Sequence, residues 1–207
     1  MSEKPRTLKP AILIVSLALI ATAFGVYLKG EGDGKVGTTS APPVQGGVTR
    51  ALATGDMTAF VVKAERKPVP EISFTTENGT ALSLGQWKGR VVLVNLWATW
   101  CAPCRKEMPA LAALQSEMGS KDFEVVAISV DRKGVEASAK FLSEVGASAL
   151  KLYADPSTDA LTKFQAVGLP ASILIDRQSR EIGRLLGPAQ WNSDDARALI
   201  KAAVEER

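Results

Sequence analysis

The sequence predicts an α/β domain, a central mixed sheet flanked by helices, with an N-terminal extension and a single membrane-spanning helix before it. Three observations carry this. Short β-branched apolar runs alternate with segments whose apolar residues recur every three to four positions, the pattern of parallel strands joined by helical crossovers. The run Val91 to Trp97 leads directly into Cys101-Ala102-Pro103-Cys104 and then a helical segment. Near the end, Ala171 to Asp176 and Glu181 to Leu186 are joined only by Arg177-Gln178-Ser179-Arg180, a polar turn that implies an antiparallel pair.

Taken in order, residues 1–10 form a basic leader with Lys4, Arg6 and Lys9, placed in the cytoplasm by the positive-inside rule. Ala11 to Leu28 is 18 residues without a charge, roughly 27 Å as a helix and close to the bilayer core. Two readings stand. One is an uncleaved anchor, favoured because the apolar run continues through Phe24, Val26, Tyr27 and Leu28. The other is a cleaved signal peptide with Ala21-Thr22-Ala23 as its cleavage site, leaving a soluble periplasmic domain. Residues 29–47 hold six glycines and two prolines with few apolar residues, a flexible linker. Residues 48–66 form an extension, with Leu52, Ala53, Met57, Phe60 and Val61 spaced for one short helix over Thr49 to Lys63. The α/β domain occupies 67–207.

Within that domain, Ile72 to Phe74 and Ala81 to Leu84 flank Asn78-Gly79, a hairpin signal. Gln86 to Gly89 turns into the Val91 strand. A helix runs from Arg105 to Met118, and Phe123 to Val130 is a second apolar strand. Val135 to Val145 reads as a helix and Leu150 to Tyr153 as a short extended piece. Asp155-Pro156 opens a helix to about Gln165, and Asn192 to Glu205 closes the chain as a helix with Ala196, Leu199, Ile200 and Ala203 inward.

Composition narrows the chemistry. The chain has 207 residues, 46% hydrophobic and 23% charged, with a net charge of +3 and no basic patch interleaved with aromatics. That argues against nucleic-acid binding. There is no histidine, which excludes Ser-His-Asp and Cys-His catalytic pairs and histidine-ligated copper or haem. There are two cysteines, too few for a tetrahedral zinc site without histidine. A purely structural bridge across two residues would restrain little of the unfolded chain.

What remains is redox chemistry at Cys101 and Cys104, which fall where a strand ends and a helix begins. The first turn of a helix presents unpaired N–H groups and the positive end of the macrodipole. A thiolate there is stabilised, and in such Cys-x-x-Cys sites the thiol pKa falls from about 8.5 toward about 7. Cys101, at the helix edge, is the expected nucleophile on a substrate disulfide. Cys104, inside the first turn, is the expected resolving thiol, and the two form the disulfide of the oxidised state. No metal and no bound cofactor is expected.

The chain resembles the thioredoxin superfamily, and within it the membrane-anchored branch that includes the TlpA, ResA and CcmG types. The residues carrying the resemblance are Ala81 to Leu114 around Trp100-Cys101-Ala102-Pro103-Cys104, Val167-Gly168-Leu169-Pro170 leading into Ala171 to Asp176, and Gly187-Pro188-Ala189-Gln190-Trp191. The resemblance covers about residues 67–207. It implies a thioredoxin fold and a protein-disulfide reductase facing the periplasm from the bacterial inner membrane. Pro170 matches the superfamily's cis-proline opposite the active-site pair, and the backbone of Leu169 would then pair with an extended substrate segment. Pro109 matches the proline that kinks the active-site helix. The implied partners are a membrane thiol carrier as electron donor and periplasmic disulfide-bearing proteins. These would be copper-delivery proteins and the copper-binding oxidase subunit in cytochrome oxidase assembly, or apocytochrome c in cytochrome c-type biogenesis. An oxidase of the DsbA type is the main rival, and a copper chaperone a weaker one.

Polar and aromatic neighbours complete the expectation. Asn95 stands six residues before Cys101, where cytoplasmic thioredoxin has a buried acid. Glu107 lies three residues after Cys104 on the same helical face. By resemblance it handles the proton of Cys104; its alternative is a solvated helix carboxylate. Trp100 is expected to cover the disulfide and meet substrate, and Trp97 to pack beneath it. Trp87 and Trp191 read as core, and Arg105 and Lys106 as a solvated helix face.

Overall fold

The computed structural model describes residues 47–206. The expected span at 11–28 and nearly all of the expected linker lie outside the described residues. Among the described residues, no helix is long and apolar enough to cross a membrane.

The domain is one eight-stranded sheet with helices on both faces. The strands are β1 (Val61–Val62), β2 (Ser73–Thr76), β3 (Ala81–Ser83), β4 (Val91–Trp97), β5 (Phe123–Ser129), β6 (Tyr153–Ala154), β7 (Ala171–Ile175) and β8 (Glu181–Leu186). The helices are α1 (Ala102–Met118), α2 (Val135–Glu144), α3 (Asp159–Lys163) and α4 (Asp194–Glu205). Spatial order is β1-β8-β7-β4-β5-β6-β2-β3. At the centre, β4 runs parallel to β5 and antiparallel to β7. The β7–β8 pair is antiparallel, as the four-residue turn requires.

The central strands are buried on both faces, which is why they read as continuous apolar runs. Alternation along β4 divides the core. Val91, Leu93 and Trp97 join Met108, Leu111 and Leu114 of α1 and Leu199 and Ile200 of α4. Val92, Val94 and Leu96 join Phe74, Trp87 and Phe164 on the opposite face. Period-two geometry therefore turns Asn95 toward α1.

Two expectations need correction. The single helix over Thr49 to Lys63 does not form. Arg50–Leu52 and Gly55–Met57 are separate 3-10 turns, and Val61–Val62 is an edge strand on β8. Gly55 sits at φ +49°, which interrupts any continuous helix. Asp195 at the start of α4 fixes the break: it accepts from the Thr54 hydroxyl at 3.0 Å and the Asp56 N–H at 3.3 Å. Met57 and Phe60 are buried all the same, so the apolar spacing recorded burial rather than helix. The helix expected from Asp155 is only Asp159–Lys163. The Asp155 carboxylate accepts the Ala160 N–H at 2.8 Å, holding 155–158 as a turn before the helix.

Candidate active site

Local sequence dictates how the cysteines are held. β4 ends at Trp97, and the Val130 N–H donates to the Trp97 carbonyl at 2.8 Å, bringing the ends of β4 and β5 together. Cys101 follows as the N-cap of α1, in extended backbone conformation. Its sulfur accepts the Cys104 N–H at 3.2 Å, so the thiol occupies the place of a capping hydroxyl. Pro103 fits the first turn, where a missing N–H removes no helical bond. Cys101 and Cys104 are joined as a disulfide with Cα atoms 5.2 Å apart. Cys101 is 4% exposed and Cys104 fully buried. Attack from solvent can reach only the first of them.

The surrounding aromatics divide by exposure. Trp100 is 65% exposed beside Cys101. Trp97 is buried and stacked on Phe141 of α2 with centroids 5.1 Å apart. Arg105 is not a bystander: its guanidinium lies over the Phe141 ring at 4.5 Å. The Leu169–Pro170 peptide is cis. The Pro170 carbonyl accepts the Gly187 N–H at 2.9 Å, and among the described residues neither backbone group of Leu169 has a hydrogen-bond partner.

Glu107 is 2% exposed on the inward face of α1, so it is no solvated helix carboxylate. One carboxylate oxygen accepts from Asn95 Nδ2 at 2.8 Å, and the other from the Ala189 N–H at 3.0 Å. The Trp191 indole N–H faces the same carboxyl but outside hydrogen-bonding geometry. Burial raises the Glu107 pKa to about 7, against the opposing pull of these donors. Asn95 also donates to Ser172 Oγ on β7 at 3.0 Å. Position and polarity made Asn95 visible in the sequence. Ser172 was not singled out there, because a serine in an apolar strand carries no pattern of its own. The partnership of Ala189 with Glu107 had no residue-type signal either, being a main-chain contact.

A helix-capping disulfide beyond the end of a central β4, beside an exposed tryptophan, with Leu96 of β4 paired to Ala171 directly after the cis Leu169–Pro170 peptide, defines a thioredoxin-like thiol-disulfide oxidoreductase. The chain belongs to the Redoxin family, whose model matches residues 64–200. It is 29% identical over 121 residues to the thiol-disulfide oxidoreductase ResA of Bacillus thuringiensis, covering 58% of this chain and 69% of that one. It is 33% identical over 100 residues to the thiol:disulfide interchange protein HelX of Rhodobacter capsulatus, covering 48% and 54% respectively. Among solved structures, the thioredoxin domain of a thiol-disulfide oxidoreductase from Bacteroides vulgatus is similar with a TM-score of 0.59. Its identity is 27%, over 69% of this chain and 99% of that domain.

Proposed function

We propose that this chain reduces specific protein disulfides from the periplasmic side of the bacterial inner membrane. The observation that carries the reading is Cys101 at the N-cap of α1, its sulfur facing the Cys104 N–H. In the reduced protein that N–H and the helix terminus stabilise a thiolate. Cys101 Sγ attacks one sulfur of the substrate disulfide and forms a mixed disulfide. The other substrate sulfur leaves as a thiolate and takes a proton. Cys104, deprotonated, then attacks Cys101 Sγ, and the second substrate thiol departs. Two electrons pass to the substrate, and the 101–104 disulfide remains. An external membrane thiol carrier returns the electrons, and no bound cofactor enters the cycle. In this reading Glu107, buried on the face of α1 that carries Cys104, accepts the Cys104 proton.

The uncharged run Ala11 to Leu28 holds the domain to the membrane through the 29–47 linker in this reading. The resemblance to the membrane-anchored branch supports substrates among respiratory assembly proteins: copper-delivery proteins, the copper-binding oxidase subunit, or apocytochrome c. The test is a Cys104→Ser variant of the full chain, expressed in its own host. It is expected to accumulate mixed disulfides through Cys101 to periplasmic proteins with paired cysteines. Equilibration of the wild type against glutathione is expected to give a potential well below the roughly −120 mV of a DsbA-type oxidant. A value near that figure would replace the reductase reading with the oxidase one.

A further inference from the structure

Asn95 is fully buried, and its two ends are unequally served. Nδ2 donates to both Glu107 Oε1 and Ser172 Oγ, at 2.8 and 3.0 Å. Oδ1 is buried without any partner among the described residues. A buried carbonyl without a partner is costly, so one end of this amide is held at a disadvantage.

The protonation state of Glu107 bears on which end that is. As placed, the site suits an ionised Glu107: Oε1 accepts from Asn95 and Oε2 from the Ala189 N–H. A neutral Glu107 must donate one hydrogen bond. On Oε2 that proton finds no acceptor in the Ala189 amide, which has no lone pair to offer. On Oε1 it meets Asn95 Nδ2, donor against donor. Half a turn of the amide about its terminal bond removes the conflict without changing the side chain's shape, since the amide N and O are nearly isosteric. Oδ1 then faces the same two oxygens that Nδ2 faced. It accepts from the Glu107 hydroxyl and from the Ser172 hydroxyl, which turns from acceptor to donor.

We propose that Asn95 is the positioning residue for the Glu107 proton. Its amide stands with Nδ2 toward Oε1 when Glu107 is ionised and with Oδ1 toward Oε1 when Glu107 is protonated, and Ser172 reverses its hydroxyl in step. A buried carboxyl with a partner fitted to only one state would be locked in that state. Here the carboxyl is hydrogen-bonded in both states, the unpaired end of the buried amide passing from Oδ1 to Nδ2, and Glu107 stays free to load and release a proton. This inference rests on Glu107 as the proton-handling group of the proposed reductase.

The ionisable groups near Glu107 are few. Cys104 shares its face of α1, with Cys101 at the helix start. Lys106 of α1 and Asp56 of the extension line the groove of about 250 Å³ that opens beside it with Pro188, Ala189 and Gln190. β4 and β7 contribute only Asn95 and Ser172, and the segment between β8 and α4 only the uncharged Trp191.

The chain has three asparagines, Asn78, Asn95 and Asn192. Selective ¹⁵N labelling therefore isolates the Asn95 side-chain amide by NMR in the oxidised full-length chain in detergent micelles. ¹³Cδ-labelled glutamate reports Glu107 in the same sample, and a Glu107→Gln variant assigns it. The expected result is a pH titration of the Asn95 Nδ2 and Hδ2 resonances with the same midpoint as the Glu107 carboxyl, abolished in Glu107→Gln. A Glu107 carboxyl that titrates beside an unchanging Asn95 amide overturns the switch. A Glu107 carboxyl that does not titrate between about pH 5 and 9, around the unperturbed neutral range, overturns it too. Turnover of a protein disulfide by the same sample, with dithiothreitol as reductant, reads the reductase activity separately. A chain that turns over while Asn95 stays fixed loses this inference and keeps the function.

Discussion

Thr99 gives both its N–H and its hydroxyl to one carboxylate oxygen of Asp131, the N–H from 3.1 Å. Thr99 stands two residues before Cys101, and Asp131 just past the end of β5. The pair therefore fixes the loop that delivers Trp100 and Cys101 to the surface. The second Asp131 oxygen accepts the Lys133 N–H at 2.8 Å, which ties the following turn to the same point.

Asp131 should make stability depend on acid. Burial pushes its carboxyl up, but the donors from Thr99 and Lys133 outweigh that and hold it below the usual carboxylate range. A depressed native pKa stabilises the fold above the unfolded value, near 3.9, and the contribution is lost as pH falls through the native value. Asp131→Ala should lower stability by about 1–3 kcal/mol at pH 7. In urea titrations the gap between variant and wild type should close as pH drops below about 4. A gap independent of pH would mean that Asp131 acts through packing alone.

Glu107 has the opposite sign. Its native pKa, about 7, lies above the unfolded value near 4.3. The native state then holds the extra proton between those two values, so stability falls as pH rises through that window. The ceiling is on the order of 4 kcal/mol, from about 1.4 per pKa unit. Urea midpoints of the wild type should decline from pH 5 to pH 8, and Glu107→Gln should flatten the part due to this group. Equal slopes in the two proteins would place the Glu107 titration elsewhere.

These two carboxylates show what was legible in the chain alone. Cys101 and Cys104 announced themselves by position after a β-branched run, because strand, cap and helix all leave local marks. The β7–β8 return was readable from a four-residue turn. The 48–66 segment was misread because an apolar face has the same spacing whether the chain is helical or winds through two 3-10 turns. The decisive contact, Asp195 on Thr54, joins residues 141 apart. Glu107 was visible, but its burial was not. Whether a carboxyl on a helix meets water depends on Trp191 and the Ala189 amide, some eighty residues away.

The extension offers a steric test. Gly183 of β8 pairs with Val62 of β1. A Cβ added there would lie 2.5 Å from the Val61 carbonyl and 2.5 Å from the buried Phe60 ring. The carbonyl is backbone and cannot swing aside, so the edge pairing must open. Gly183→Ala should destabilise by about 1–3 kcal/mol, the usual range for overpacking. Hydrogen exchange should show the Lys63 N–H, bonded to the Ile182 carbonyl at 2.9 Å, losing protection before the β4 amides do. If the midpoint and the exchange pattern both stay as in wild type, β1 is not held by this contact.

Trp100 offers a test that separates recognition from chemistry. Its side chain is 65% exposed, so little of the fold leans on it, and Trp100→Ala should change stability by no more than about 0.5 kcal/mol. An indole left this open beside a nucleophile has contact area to offer an incoming protein. Covering about 100 Å² of it would be worth roughly 2.5 kcal/mol before ordering losses, at about 25 cal/mol per Å². A small aromatic disulfide reaches Cys101 without covering that surface. The variant should therefore lose about tenfold in kcat/KM on a protein disulfide while reducing the small one at nearly the wild-type rate. An equal loss on both would move Trp100 from the docking surface to the shaping of the cysteines themselves. The loss would then persist for any electrophile offered to Cys101, alkylating reagents included.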